Sequence, residues 1–465
     1  MHLVASHNHV LHTYAAMAVE RILAIQVNGS PMFTLEDLRA VVGPLCDNLI
    51  KLIKGKKTAE KMAENDLLMK ALMRVMLLAQ SELLAPNAQM IITELTDILW
   101  AVSKNPSNPR FTHYLFESIA TLVRFCAPDP SLLSIIEAKL CPVLQEILQA
   151  DQTDFIPYVL QLYAGLVEYR NGPGLASYAT GLLPVILQPT LWNTQGTVPA
   201  LVRFLQACIF KDPQSVPVQS ILGISQVLIG SRVNDLHAFT LINSVITTAL
   251  PQQLEGYLGP ILLMTLKKLQ SAKISRISSS VLLTICNFTT KLPSSFVFNQ
   301  FERIQPGMIV GLMKTILLPE AVKYRDRNDR NVCLLGLCKL AFDCPEFLSK
   351  VTIDQNYSQL FMAFLSACLA IISNIPVGAT SSTAADVRIP VPATEGPAID
   401  ELGTSYASLQ SLPLPPRLPL VQVDSTTEFV NGIAGVSKSI PVRRMIFEAG
   451  GLDAGQQAIL QQLLQ

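Results

Sequence analysis

The sequence predicts an all-α chain, a solenoid of stacked helical hairpins, and three observations carry that expectation. Apolar residues recur at helical spacing almost throughout the 465 residues. No sustained period-two run stands between hairpin-type turn residues, so strands are not expected. Prolines punctuate the apolar stretches, and several steps between them are about 42–46 residues, the length of a two-helix HEAT or armadillo-type repeat.

Taken in order, the first helix is expected from His12 to Leu23 (HTYAAMAVERIL), with His7 and His9 just ahead of it. No polar cap precedes it, so the array is expected to continue upstream, this chain being its C-terminal part. Lys51, Lys54, Lys56, Lys57 and Lys61 surround Gly55 and read as a solvated connection between helices. Ile91, Leu95, Ile98, Leu99 and Val102 make the next apolar face. The stretch 101–120, AVSKNPSNPRFTHYLFESIA, is a helix end, a loop with Pro106 and Pro109, and a new amphipathic helix. Leu140, Val143, Leu144, Ile147 and Leu148 form one further face, and Leu201, Phe204, Leu205 and Cys208 another.

Pro44, Pro86, Pro142, Pro184, Pro217, Pro260 and Pro306 are each expected near a helix start, where the missing N–H of proline would be unpaired anyway. The domain plan is a HEAT-repeat α-solenoid over 1–375, a Pro/Ser/Thr-rich linker or long loop over 376–425, and a helical tail over 426–465. Asp453 is placed as the N-cap of the last helix.

Composition narrows the function. Lys plus Arg and Asp plus Glu are 35 each, so the chain is neutral and lacks the clustered base that phosphate binding uses; nucleic acid is not an expected partner. The longest apolar run, Leu360–Ile372, is too short to span a bilayer and reads as a buried core helix, so no membrane insertion is expected. The N-terminus lacks the pattern of a signal peptide, and an intracellular location is expected. The nine cysteines lie mostly inside apolar helical patterns, as small buried hydrophobes in a reducing compartment. Neither Cys333, Cys338 and Cys344 nor His7, His9 and His12 has a metal-site spacing. Phe296, Phe298, Phe301, Tyr158 and Tyr163 are expected to pack between helices. There is no Gly-rich phosphate loop, HExxH or nucleophile elbow, and Asp151 and Asp154 read as capping carboxylates. The chain is therefore not expected to be an enzyme, and no cofactor or metal is assigned.

The segment 101–120 resembles the equivalent junction of the CAS-type exportins, in the karyopherin-β family of HEAT-repeat receptors. The resemblance extends in order through HTYAAMAVERIL (12–23), LMKALMRVM (68–76), DFIPYVLQL (154–162), LQPTLWNTQGTVPALVRFLQAC (187–208) and NDLHAFTLINSVI (234–246). From about Tyr324 onward it is weak. It implies a superhelix of HEAT repeats that binds importin-α together with the GTP form of Ran, meets nuclear pore proteins, and shuttles between nucleus and cytoplasm with a presence at the nuclear envelope. It also implies that the principal Ran-docking repeats lie N-terminal to the part represented here. Relatives usually carry an acidic stretch before the final helices, whereas 376–420 holds only Asp386, Glu395, Asp400 and Glu401. Loops carry much of the recognition in rigid scaffolds. The densest charged loop, EAVKYRDRNDR (320–330), therefore supplies the candidate partner contacts Lys323, Arg325, Arg327 and Arg330. The alternative is a HEAT-repeat scaffold that assembles protein complexes without any GTPase.

Overall fold

The structure, a computed structural model, describes residues 2–28, 30–193, 196–373, 406–413, 424–447 and 452–464. They fall into two compact units, one made of 1–216 with 387–415, the other of 217–386 with 416–465. Of the expected linker 376–425, only 406–413 and 424–425 are among the described residues.

The first unit holds α1 (His9–Leu23), α2 (Leu35–Arg39), α3 (Val42–Lys54), α4 (Ala59–Ala63), α5 (Asp66–Leu84), α6 (Ala88–Ser103), α7 (Pro109–Cys126), α8 (Pro130–Gln149), α9 (Ile156–Tyr169), α10 (Ser177–Ile186) and α11 (Val198–Lys211). Helices α5, α7, α9 and α11 form one row, each packed on the next, while α6 and α8 pack side by side as part of a second row. The first row is the core. Every residue of α7 from Phe111 to Val123 is buried, as is every residue of α9 from Tyr158 to Val167. Phe116 of α7 stacks on Tyr158 of α9 with ring centroids 4.7 Å apart, which locks the two helices together.

The second unit holds α12 (Val218–Gly230), α13 (Asp235–Thr248), α14 (Pro251–Ser271), α15 (Ser275–Lys291), α16 (Ser294–Ile304), α17 (Met308–Leu312), a π turn (Met313–Leu317), α18 (Leu318–Ala321), α19 (Arg327–Phe342), α20 (Pro345–Val351), α21 (Gln355–Ser373), α22 (Ser425–Val436), α23 (Ile440–Phe447) and α24 (Ala454–Leu463). Helices α13, α15, α19 and α21 make its row. The apolar α21 is long enough to cross a bilayer, but Leu360, Phe361, Phe364, Leu365, Cys368 and Ile371 are buried against protein. Two C-terminal helices lie on this row: α22 on α19 and α24 on α21. Gly432 of α22 faces the ring of Phe342, and Gln456 of α24 donates to Ser366 Oγ at 2.7 Å.

The proline expectation needs correcting. Pro142, Pro184 and Pro260 lie inside α8, α10 and α14 rather than at their starts. All three are exposed, so the carbonyl four residues upstream, deprived of its N–H partner, faces water. The prolines that do open helices include Pro109, Pro130, Pro251 and Pro345, where no intrahelical bond is lost. A second departure is a two-residue antiparallel ribbon, Gln26–Val27 with Ser30–Pro31. Asn28, at φ +52°, begins its turn, as an Asn-Gly pair favours.

All nine cysteines are free, and all but the half-buried Cys141 are buried. Burial pushes the thiol of Cys46 up to about 12, so it stays a protonated packing group. Phe298, Phe301, Tyr158 and Tyr163 are buried as expected, whereas Phe296 is only half-buried.

Candidate partner-binding surface

Among the buried polar residues of α7, α9 and α11 are four with ionisable or amide side chains: His113, Glu117, Gln161 and Arg203. Helix α7 starts at Asn108, whose side chain accepts from the amides of Arg110 (3.1 Å) and Phe111 (3.2 Å), with Pro109 in its first turn. That start puts His113 and Glu117 one turn apart on one face. His113 Nδ1 lies 3.2 Å from the hydroxyl of Tyr158, and burial pushes its ring down to about 4, so it is neutral near pH 7.

The remaining three read the main chain of a non-helical segment, Tyr406–Pro413, which turns at Gln410–Ser411. Glu117 Oε1 accepts the amide of Gln410 at 2.7 Å and Oε2 that of Ser411 at 2.9 Å. Gln161 uses its full capacity. Its Oε1 accepts from the Leu409 amide (2.8 Å) and the Tyr406 hydroxyl (3.1 Å); its Nε2 donates to Ala407 O and Pro157 O, both at 3.0 Å. Arg203 Nη2 bridges Glu168 Oε2 at 2.7 Å and Pro413 O at 2.9 Å, and Arg124 Nη1 donates to Ser411 O at 3.3 Å. Leu409 and Leu412 are buried under this ladder. Leu412 rests on Gly165 of α9, where a Cβ would lie 3.0 Å from Leu412 Cδ2.

The electrostatics are costly. Burial raises the carboxyl of Glu117 above its ordinary value despite the two amides that favour its charge. Burial likewise raises Glu168 to about 7 and lowers Arg203, although the two form an ion pair. Both partners shift against ionisation, so desolvation outweighs their attraction.

The candidate stretch 320–330 belongs to the second unit; only 322–326 forms the loop between α18 and α19, and Arg327 and Arg330, expected in a loop, lie in the first turn of α19. Lys323 pairs with Glu320 at 2.8 Å, and Glu320 also accepts from Ser275. Tyr324 anchors the loop by donating to Ser279 O at 2.5 Å, and Asp326 caps α19 through the amides of Asn328 and Asp329. Arg325 and Arg327 are exposed, and Arg330 is half-buried on the first turn of α19. Of the lysine run, Lys54 bridges Glu94 (2.6 Å) and Asp97 (2.8 Å) on α6, and Lys51 and Lys61 pair within their own stretches. His12 is buried with Nδ1 3.0 Å from Ser6 O, while His7 and His9 are exposed. Among the described residues, no group of three His, Cys, Asp or Glu is placed to hold a metal.

Sequence reasoning placed Tyr406–Pro413 in a linker and passed over Glu117, Gln161 and Arg203. The sequence held little signal for them: Glu117, for one, has Arg110, His113, Thr121 and Arg124 at helical spacing and reads as part of a solvated face, and only its burial implies a polar partner.

A family model described as "CAS/CSE protein, C-terminus" matches residues 20–463. The importin-alpha re-exporter of Schizosaccharomyces pombe is 35% identical over 377 residues, covering 79% of this chain and 38% of that protein. Human exportin-2 is 34% identical over 370 residues, covering 78% of this chain and 37% of its own length. The chain thus spans less than two-fifths of the length of these relatives. The solved structure of the exportin Cse1 in its cargo-free, cytoplasmic state superposes with a TM-score of 0.78 at 24% identity, covering 99% of this chain and 46% of that one. That likeness shows the fold, an α-solenoid of stacked helix pairs.

Proposed function

Because the chain belongs to the CAS/CSE family, we propose that it is part of a nuclear export receptor that binds importin-α together with Ran in its GTP form and returns importin-α to the cytoplasm. The observation that carries this reading is the identity to the importin-alpha re-exporter, 35% across 79% of the chain. The fold suits the task. Rows of helices in register hold loops and side chains at fixed spacing, so a large partner meets many weak contacts at once. Such a receptor meets nuclear pore proteins in transit and shuttles between nucleus and cytoplasm by way of the nuclear envelope. Its work is binding and release, and none of the buried acids and histidines described above is arranged for catalysis.

Within this reading Lys323, Arg325, Arg327 and Arg330 contact an acidic partner surface. Arg325 and Arg327 are exposed, and exposed charge governs association rate and its salt dependence more than it governs fold. The test is titration of importin-α into the chain with Ran-GTP, with Ran-GDP and with neither. Cooperative export requires tighter importin-α binding with Ran-GTP, and linkage requires the reciprocal effect on Ran. Affinity indifferent to Ran would favour the GTPase-independent scaffold instead. Arg325→Glu with Arg327→Glu should weaken partner binding roughly tenfold at low salt and less at high salt.

A further inference from the structure

The ladder on α7, α9 and α11 recognises its segment mainly through the main chain. Six of the segment's backbone groups are bonded by side chains: Leu409 N, Gln410 N and Ser411 N as donors, Ala407 O and Pro413 O as acceptors at 3.0 Å or less, and Ser411 O as an acceptor at 3.3 Å. Side-chain selection comes from Leu409 and Leu412, three residues apart, the second fitted against the bare backbone of Gly165. Recognition of this kind is open to any segment that takes the same turn with the same spacing, because every peptide presents the same amides and carbonyls.

The fit with the present occupant is incomplete. Arg203 is 8% exposed, yet its Nη1 has no hydrogen-bond partner among the described residues, and neither has Glu168 Oε1 beside it. Orphaned buried donors and acceptors cost free energy that a better-matched segment recovers. A buried carboxylate and a buried ion pair are also poor devices for stability alone, since apolar residues of like volume usually serve better.

We propose that the groove on α7, α9 and α11 is a binding site for a non-helical segment of a partner protein that turns as Gln410–Ser411 does, uncharged, with leucines at i and i+3 followed by proline. Tyr406–Pro413 is its occupant in cis. Capture of the partner segment requires release of this occupant, so the chain carries its own competitor. The site lies wholly within the first unit, and the charged loop belongs to the second.

The test uses a fluorescein-labelled peptide with the sequence of residues 404–415, titrated by fluorescence polarisation into the full chain and into the Leu409→Asp/Leu412→Asp variant. The variant, whose own segment no longer docks, should bind the peptide saturably and at least tenfold more tightly than the unaltered chain. Adding Gly165→Leu should abolish that binding. Equal affinity for both chains overturns the proposal, and so does absence of binding to a variant whose circular dichroism shows intact helices. Should the variant fail to fold, hydrogen exchange on the unaltered chain decides. Release in cis requires the amides of Leu409, Gln410 and Ser411 to exchange well below the denaturant concentration that opens α7 and α9. Exchange only on global unfolding makes the segment a fixed structural strap and ends the idea.

Discussion

The amide of Ser411 donates to Glu117 Oε2 at 2.9 Å across a separation of 294 residues. Neither residue is explained by its neighbours in sequence. Glu117 lies on the polar side of α7, with Arg110, His113, Thr121 and Arg124, yet it is buried, and Ser411 lies in a proline-rich stretch with no helical periodicity. Each is the reason the other can be buried, because a carboxylate withdrawn from water needs donors aimed at it.

Glu117→Gln tests that pairing. One of the two accepting oxygens becomes an NH2 group facing a backbone N–H, so one hydrogen bond is replaced by a donor–donor clash. The docked segment should weaken by about 1–3 kcal/mol. Limited proteolysis at Tyr406–Pro413 should accelerate at least tenfold while α5, α7 and α9 stay resistant.

Gly165→Ala separates docking from helix stability. Alanine strengthens the interior of α9 by about 1 kcal/mol, while its Cβ would stand 3.0 Å from Leu412 Cδ2. Thermal melting of the helices should hold or rise slightly. Exchange of the amides of Leu409–Ser411 should speed up, and equal protection in both chains would show that Leu412 yields without cost.

Glu20→Ala addresses a second buried pair, in which Arg74, fully buried, holds Glu20 at 3.0 Å with Lys70 at 3.8 Å. Removing the carboxylate takes the Glu20 ion pair away from a buried guanidinium, at about 3–5 kcal/mol. Denaturant titration should show the midpoint falling with an unchanged slope.

Glu168 predicts a pH dependence. Its folded value, about 7, stands above its ordinary 4.5, so between those values the folded state holds more proton than the unfolded. The contribution of Glu168 to stability is complete below about pH 4.5 and is lost as pH rises through 7. His113 acts oppositely: its folded value of about 4 lies below its ordinary 6.5, so its contribution grows as pH rises across that window. The clean readout is therefore a difference. The stability of the unaltered chain minus that of Glu168→Gln should fall between pH 4.5 and 7.5, and a flat difference would mean that Arg203 holds Glu168 ionised throughout.

Much of the helical framework was legible in the sequence because each helix carries its own evidence. The stripe from Ile91 to Val102 and the Asn108–Pro109 start of α7 are local patterns with local causes. Pro142, Pro184 and Pro260 misled because an exposed proline inside a helix and one at a helix start look alike without knowledge of which face meets water. Family membership was legible from ordered segments between 12 and 246. The ladder was not, because its geometry depends on α7, α9 and α11 being brought side by side. The conformation of Tyr406–Pro413 is imposed by Glu117, Gln161 and Arg203 and has no signature of its own.

The separation of 210 residues between Arg203 and Pro413 also has a temporal side. At roughly 5–20 residues per second, a ribosome needs about 10–40 s to get from one to the other. During synthesis the three helices emerge, and meet their first neighbours, well before the segment that later covers them exists. For that interval Glu117 and Arg203 stand at a wet, unoccupied surface on a nascent protein, within reach of any chaperone or early binder that carries a suitable peptide.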